Sequence, residues 1–353
     1  MESQVKHKVV AGVLREEIAR GAWEVGARIP SDQELSRRFG VAYMTARQAV
    51  GSLVDSGLLR RVTGSGTYVV RMEPLVERPP ARFVVLTAGV RHVLDPYYYP
   101  EILTGFEEEM QGSGQEVAVF DFRTAISEEL VGDNSLVACV LTGEHEVLYA
   151  NLLRDQGLPV LALNRYTGRR NIPFVALDNA AGAEEAVDHL VALGHRRIAF
   201  IRGPLRNIDG DERFAGYCKG IRKHKLKPIS LDEGAYEESV GRESALTFLT
   251  ASPRPTAIFC ASDVTAIGAM KAAGELGISI PSELSIIGFG DFKVAAFLTP
   301  GLTSVRLPLR EFGRAAAKQL LRLPEEPSLE NLVLPTSLVV RQSTAPCPLH
   351  SLN

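Results

Sequence analysis

A chain of 353 residues exceeds the size one hydrophobic core usually serves, so two or three compact units are expected. No apolar run reaches membrane-spanning length and the N-terminus lacks the basic-then-apolar profile of a signal peptide, which excludes a bilayer-spanning chain and predicts a soluble, cytoplasmic protein. The net charge of -3 hides an asymmetry: residues 1–72 hold 11 Lys or Arg against 7 Asp or Glu, a net of +4, and the remainder carries -7, which suits a nucleic-acid reader attached to a part that should not bind DNA.

The first predicted elements lie between Ile29 and Val70. Ser31 and Glu34 stand at capping-box spacing and open a helix that ends near Phe39 and Gly40. A second helix follows over residues 43–56, with Ala46, Ala49, Val50 and Leu53 as an apolar stripe and with Tyr43, Thr45, Arg47 and Gln48 expected to face outward. Gly57 is its stop. Residues 58–62 and 67–70 read as two short strands around Gly64-Ser65-Gly66, a hairpin wing. Cap, turn, stripe and wing in this order describe a winged helix-turn-helix that docks on duplex DNA, with Ser31, Gln33, Tyr43, Met44, Thr45, Arg47, Gln48, Ser65 and Gly66 as candidate contacts.

This block resembles the DNA-binding domain of the gluconate-repressor (GntR) family from about Val9 to Val70. The resemblance rests on Arg28-Ile29-Pro30-Ser31-Asp32-Gln33-Glu34-Leu35, Phe39-Gly40-Val41-Ala42-Tyr43-Met44-Thr45-Ala46-Arg47 and Gly64-Ser65-Gly66-Thr67-Tyr68-Val69. Two departures matter. Ala42 stands where the family usually has Ser, so the recognition helix lacks a side-chain cap typically worth ~1 kcal/mol. Tyr43 replaces an Arg that in the family usually touches DNA, so the operator sequence does not transfer from relatives.

A linker is expected over 73–81, where Pro79-Pro80 favours an extended spacer. Beyond it, short apolar runs at residues 83–86, 117–120, 136–141 and 159–163 alternate with helix-length amphipathic stretches. The alternation begins again with strands near 174–177, 197–201, 257–260 and 285–288 and helices near 180–193, 213–224, 241–249 and 264–276. Parallel strands joined by crossover helices give this pattern, and residues 82–346 are therefore expected to form two doubly wound α/β lobes.

A second resemblance covers about Arg82 to Ser343. The segments Leu177-Asp178-Asn179, Leu193-Gly194-His195-Arg196-Arg197-Ile198-Ala199, Arg213-Phe214-Ala215-Gly216-Tyr217, Ser262-Asp263, Ser285-Ile286-Ile287-Gly288-Phe289 and Leu302-Thr303-Ser304-Val305 look like the effector domain of lactose/galactose-repressor (LacI/GalR) regulators. Those share the periplasmic-binding-protein fold, two lobes with ligand between them. A GntR-type reader fused to this domain is the arabinose-repressor (AraR) architecture. The resemblance implies a homodimeric regulator of carbohydrate-use genes whose affinity for an operator changes when a small sugar binds.

Carried over residue by residue, Arg213 matches the family's cleft arginine, which can make forked hydrogen bonds to vicinal hydroxyls or a carboxylate; the alternative is a solvated arginine at a helix start. Asp291 follows Gly290, which stands where relatives usually have a ligand-contacting Asp, and Asp291 is the candidate to take that role. Asn164 sits at a loop position where relatives often have Asp, and its alternative role is a turn former. Tyr98 or Tyr99, with Tyr236, are the candidate stacking platforms, and Asp209 and Asp263 are further polar candidates; Asp263 reads equally as a helix cap, the role expected of Asp178 and Asn179.

The sequence carries no Walker-type loop, no G-x-S-x-G elbow and no H-E-x-x-H, so no enzyme and no cofactor are expected. His189 and His195 are too far apart to share a helix face as metal ligands, and the four cysteines, Cys139, Cys218, Cys260 and Cys347, read as buried free thiols. A sugar- or nucleoside-binding protein without DNA regulation remains as the alternative, as does a regulator that activates or uses its ligand as co-repressor.

Overall fold

The computed structural model describes residues 2–19, 21–71, 83–87, 97–111, 117–121, 136–168, 170–231, 234–326 and 329–348. The linker expected over 73–81 lies outside them. In chain order the elements are α1 (Glu2–Ala19), α2 (Asp32–Phe39), α3 (Tyr43–Asp55), β1 (Leu59–Val62), β2 (Gly66–Val69), β3 (Phe83–Thr87), α4 (Tyr99–Met110), β4 (Val117–Asp121), β5 (Leu136–Val140), α5 (Glu144–Asp155), β6 (Val160–Leu163) and β7 (Phe174–Leu177). There follow α6 (Asn179–Ala192), β8 (Ile198–Ile201), α7 (Ile208–Lys223), β9 (Ile229–Ser230), α8 (Glu238–Thr250), β10 (Ala257–Cys260), α9 (Asp263–Glu275), β11 (Ser285–Gly290), α10 (Lys293–Phe297), β12 (Thr303–Arg306), α11 (Leu309–Arg322), β13 (Leu332–Leu334) and β14 (Ser337–Val339). The chain divides into two compact units, one built from Met1–Leu94, Met110–Pro173 and Lys318–Leu329, the other from Asp95–Glu109, Phe174–Ala317 and Glu330–Asn353.

The winged helix forms for the reasons its sequence supplies. The Ser31 hydroxyl accepts from the Glu34 amide at 3.3 Å and the Glu34 carboxylate accepts from the Ser31 amide at 2.8 Å, so two orphan donors of α2 are satisfied reciprocally. Gly40 ends the helix at φ 63, a left-handed conformation that costs glycine nothing. Ala42 opens α3 with no side-chain cap. Leu35, Ala46, Ala49, Val50, Leu53 and Leu58 are buried, each large aliphatic side chain contributing roughly 1.5–3 kcal/mol. β1 and β2 pair antiparallel, with Leu59 opposite Val69 and Val62 opposite Gly66. Thr45 departs from its expected outward orientation: at 4% exposure it turns inward, because the 3.6-residue period places it on the stripe with Ala46 and Ala49.

Elsewhere in this first unit β6, β5, β3 and β4 lie side by side in that order, all parallel. The second unit holds a six-stranded sheet in the order β14-β12-β11-β10-β8-β9, parallel except where β14 runs against β12, and a parallel pair of β7 with β13. Strands β8, β10 and β11 are buried at every position, as parallel strands covered on both faces must be. Helices cross closely where glycine removes the side chain. A Cβ at Gly216 of α7 would run into the Ala180 carbonyl oxygen of α6, and Gly241 and Gly268 do the same service between α8 and α9. No helix among the described residues is long and apolar enough to cross a membrane. Cys139 and Cys260 are buried thiols, whereas Cys218 and Cys347 are only partly covered; none is in a disulfide.

Candidate functional site

Two surfaces carry the chemistry expected from the sequence, one in each unit. On the winged helix, Tyr43, Met44, Arg47 and Gln48 are exposed along α3, and Ser31 and Gln33 are exposed at the start of α2. At the wing tip Ser65 is exposed with its hydroxyl 2.6 Å from that of Tyr68, while Gly66, at φ 135, is overlaid by the Arg28 side chain. Thr45 is the expected contact that the helix places inside.

In the second unit, the carboxyl ends of the parallel strands assemble a buried polar cluster, the place where open α/β sheets collect ligands. Arg213, in the second turn of α7, is 4% exposed. Its Nε donates to Asn179 Oδ1 at 2.9 Å and its Nη1 to the Ala261 carbonyl at 2.8 Å, just past β10. Its guanidinium carbon lies 4.3 Å from the ring centroid of Phe289 in β11 and 5.6 Å from that of Tyr236, so a cation is held against aromatic faces. Asn179 Nδ2 donates to Asp209 Oδ1 at 3.1 Å and to Glu212 Oε2 at 3.3 Å. Tyr98 Oη donates to Asp209 Oδ2 at 3.2 Å, and Tyr236 Oη to Asn207 Oδ1 at 3.2 Å. Burial pushes the Asp209 carboxyl upward, partly offset by the Arg213 charge, and pushes the Tyr236 phenol to about 12. The cluster therefore offers a guanidinium, a carboxyl group and two phenol hydroxyls beside aromatic faces, the equipment for a small polyhydroxylated ring.

Arg213, Asp209, Tyr98 and Tyr236 lie together in this cluster, and Asn179, expected only as a helix cap, lies among them. Asp178 does cap α6, accepting from the Ala181 amide at 3.0 Å, but Asn179, at 1% exposure, turns inward to bridge Arg213 and Asp209. A pair of polar residues following a buried parallel strand, one of them beyond the cap position, was the available signal. Tyr99 is buried edge-on to Tyr98, with ring centroids 5.2 Å apart. Asn164 belongs to the first unit, where it is buried at φ 74 and donates through Nδ2 to the Leu141 carbonyl at 3.0 Å.

Asp263 and Asp291 shape a neighbouring turn. Ser262 is the cap of α9, whereas Asp263 accepts from Ser304 Oγ at 2.6 Å and from the Phe292 amide at 2.7 Å. Asp291, at φ 51, accepts from Arg306 Nε at 2.7 Å and sits 2.6 Å from Arg341 Nη2, its side chain only 4% exposed. A cavity of about 610 Å³ opens at this turn, lined by Tyr97, Gly290, Phe292, Arg306 and Leu309. Burial raises Asp263 to about 6, with the hydrogen bonds from Ser304 and Phe292 acting the other way. The folded state then holds this proton more tightly than the unfolded chain, so its contribution is fully present below the unfolded aspartate value and is lost as pH rises through about 6. Asp263→Asn is expected to gain about 2–3 kcal/mol of stability relative to wild type between pH 4 and 7.5. Urea midpoints of both proteins across that range check this, and a pH-independent difference would contradict it.

Residues 6–69 match the bacterial regulatory proteins of the gntR family, and residues 187–344 match a periplasmic binding protein-like domain. An arabinose metabolism transcriptional repressor of Geobacillus stearothermophilus is 28% identical over 363 residues, covering 97% of this chain and 96% of the relative. A ribose operon repressor of Halalkalibacterium halodurans is 31% identical over 265 residues, covering 74% of this chain and 75% of the relative. Among solved structures, a regulatory protein of LacI family from Chloroflexus aggregans superimposes with a TM-score of 0.64 at 28% identity, over 75% of this chain and 99% of its own.

Proposed function

This chain belongs to the family of bacterial transcriptional regulators that join a gntR-type winged helix to a periplasmic-binding-protein-like domain, and from that premise we propose that it is a homodimeric repressor of carbohydrate-use genes, released from its operator when a small sugar occupies the cluster around Arg213. The observation that carries this reading is the cluster itself: a buried guanidinium fixed by Asn179 and Ala261, with Asp209, Tyr98 and Tyr236 beside it, in a chain that also exposes a recognition helix. A sugar changes DNA affinity only by binding one conformation better than another, and the coupling is reciprocal. One winged helix reads a half-site, so useful specificity calls for two copies related by a two-fold axis.

The test is a gel shift with intergenic DNA upstream of the neighbouring genes, with and without a panel of sugars that starts from arabinose and ribose, for which the two relatives are named. Retardation that one sugar relieves is expected, and the full chain should sediment as a dimer at micromolar concentration. No retardation under any condition, or a monomer, would contradict the reading.

A further inference from the structure

The first turn of α3 does not look like the rest of the exposed face of that helix. Tyr43 is 45% exposed and Met44 57%, side by side, directly after an Ala42 that brings no capping oxygen. One turn later the exposed residues are polar, Arg47 and Gln48. The same segment carries exposed cations: Arg37, Arg47 and Arg60 are exposed and form no ion pair among the described residues, within residues 1–72 of net charge +4. That charge complements a phosphate backbone, and the N-terminal turn of a recognition helix is the part that meets base edges. Hydrogen-bonding side chains would read most of those edges. An aromatic ring and a thioether have one apolar counterpart in the major groove, the C5-methyl group of thymine.

Resting on the regulator reading above, we propose that Tyr43 and Met44 are the specificity-determining residues of the winged helix and that they pack against thymine methyl groups in each operator half-site, with Arg47 supplying the adjacent polar contact. Their exposure in the free protein is then the surface that DNA covers. Thr45 contributes nothing to this contact, since it faces the core.

The experiment begins with selection of a preferred duplex from a randomised library by the full-length protein. Each thymine of a half-site is then replaced by deoxyuridine, which keeps the base pair and deletes only the methyl group. At one or two positions the replacement should weaken binding about fourfold, the value of one buried methyl-sized group. Met44→Ala and Tyr43→Ala should each bind the thymine duplex more weakly and lose the deoxyuridine penalty at one position. Both side chains are exposed, and the melting temperature of each variant verifies that the fold is retained. A preferred sequence that tolerates deoxyuridine everywhere, or variants that keep the full penalty, would overturn the inference. A selection that yields no preferred sequence would overturn the regulator reading itself.

Discussion

Replacing Arg213 with alanine is expected to weaken sugar binding by about 100-fold or more, because a guanidinium that makes two charge-assisted hydrogen bonds to a ligand contributes roughly 1.5–3 kcal/mol through each. The same substitution removes the cation that offsets the buried Asp209 carboxylate and leaves Asn179 Oδ1 and the Ala261 carbonyl without their donor. Some loss of stability therefore accompanies it, and Arg213→Lys separates the two effects. Lysine keeps the charge and much of the packing but has no planar fork, so it should recover stability while binding sugar poorly. Isothermal titration with the sugar found active in gel shifts measures the first quantity and urea denaturation the second. Undiminished sugar affinity in Arg213→Ala would remove this residue from the site.

Arg47→Ala is expected to act on DNA alone. Arg47 is exposed on α3 in the first unit, whereas the Arg213 cluster is in the second, so truncation should leave sugar binding unchanged. A bidentate arginine contact to a base is worth about 1–3 kcal/mol, and a dimer loses it twice, so operator affinity should fall by roughly 30-fold to well over 1,000-fold. A contact to phosphate instead would weaken all sequences uniformly and reduce the salt dependence. Operator titrations at two salt concentrations distinguish these outcomes, and unchanged affinity at moderate salt would mean that α3 does not enter the groove in the way proposed.

Local signals explain what was legible in the sequence. Ser31, Glu34 and Gly40 specify a helix start and stop through contacts within a few residues, so they read without knowledge of the fold. Continuous apolar runs such as Ile198–Ile201 and Ala257–Cys260 likewise announced buried parallel strands. Two of the departures depend on distant partners. Asn179 has capping chemistry, yet Arg213 and Asp209, 34 and 30 residues away, draw it into the core. Asp263 reads equally as a cap, but it is claimed by Ser304 in β12 and by the Phe292 amide just ahead of α10. Helix α7 starts at Ile208 rather than near Arg213, because Asn207 caps it through the Gly210 amide; Arg213 is consequently not a solvated end residue but a buried one in the second turn. Thr45 was misplaced for a simpler reason, since a threonine at the margin of an apolar stripe can be assigned to either face until its neighbours pack.

If sugar occupancy at Arg213 controls DNA release, the coupling is visible in one titration. Fluorescence anisotropy of a labelled operator, followed across a titration of the inducing sugar, should report release for the wild-type protein, a weakened response for Tyr236→Ala, which loses a ring beside the guanidinium but not the guanidinium, and no response for Arg213→Ala although that protein still binds operator without sugar. A normal sugar response in Arg213→Ala would contradict the assignment of the effector site to this cluster.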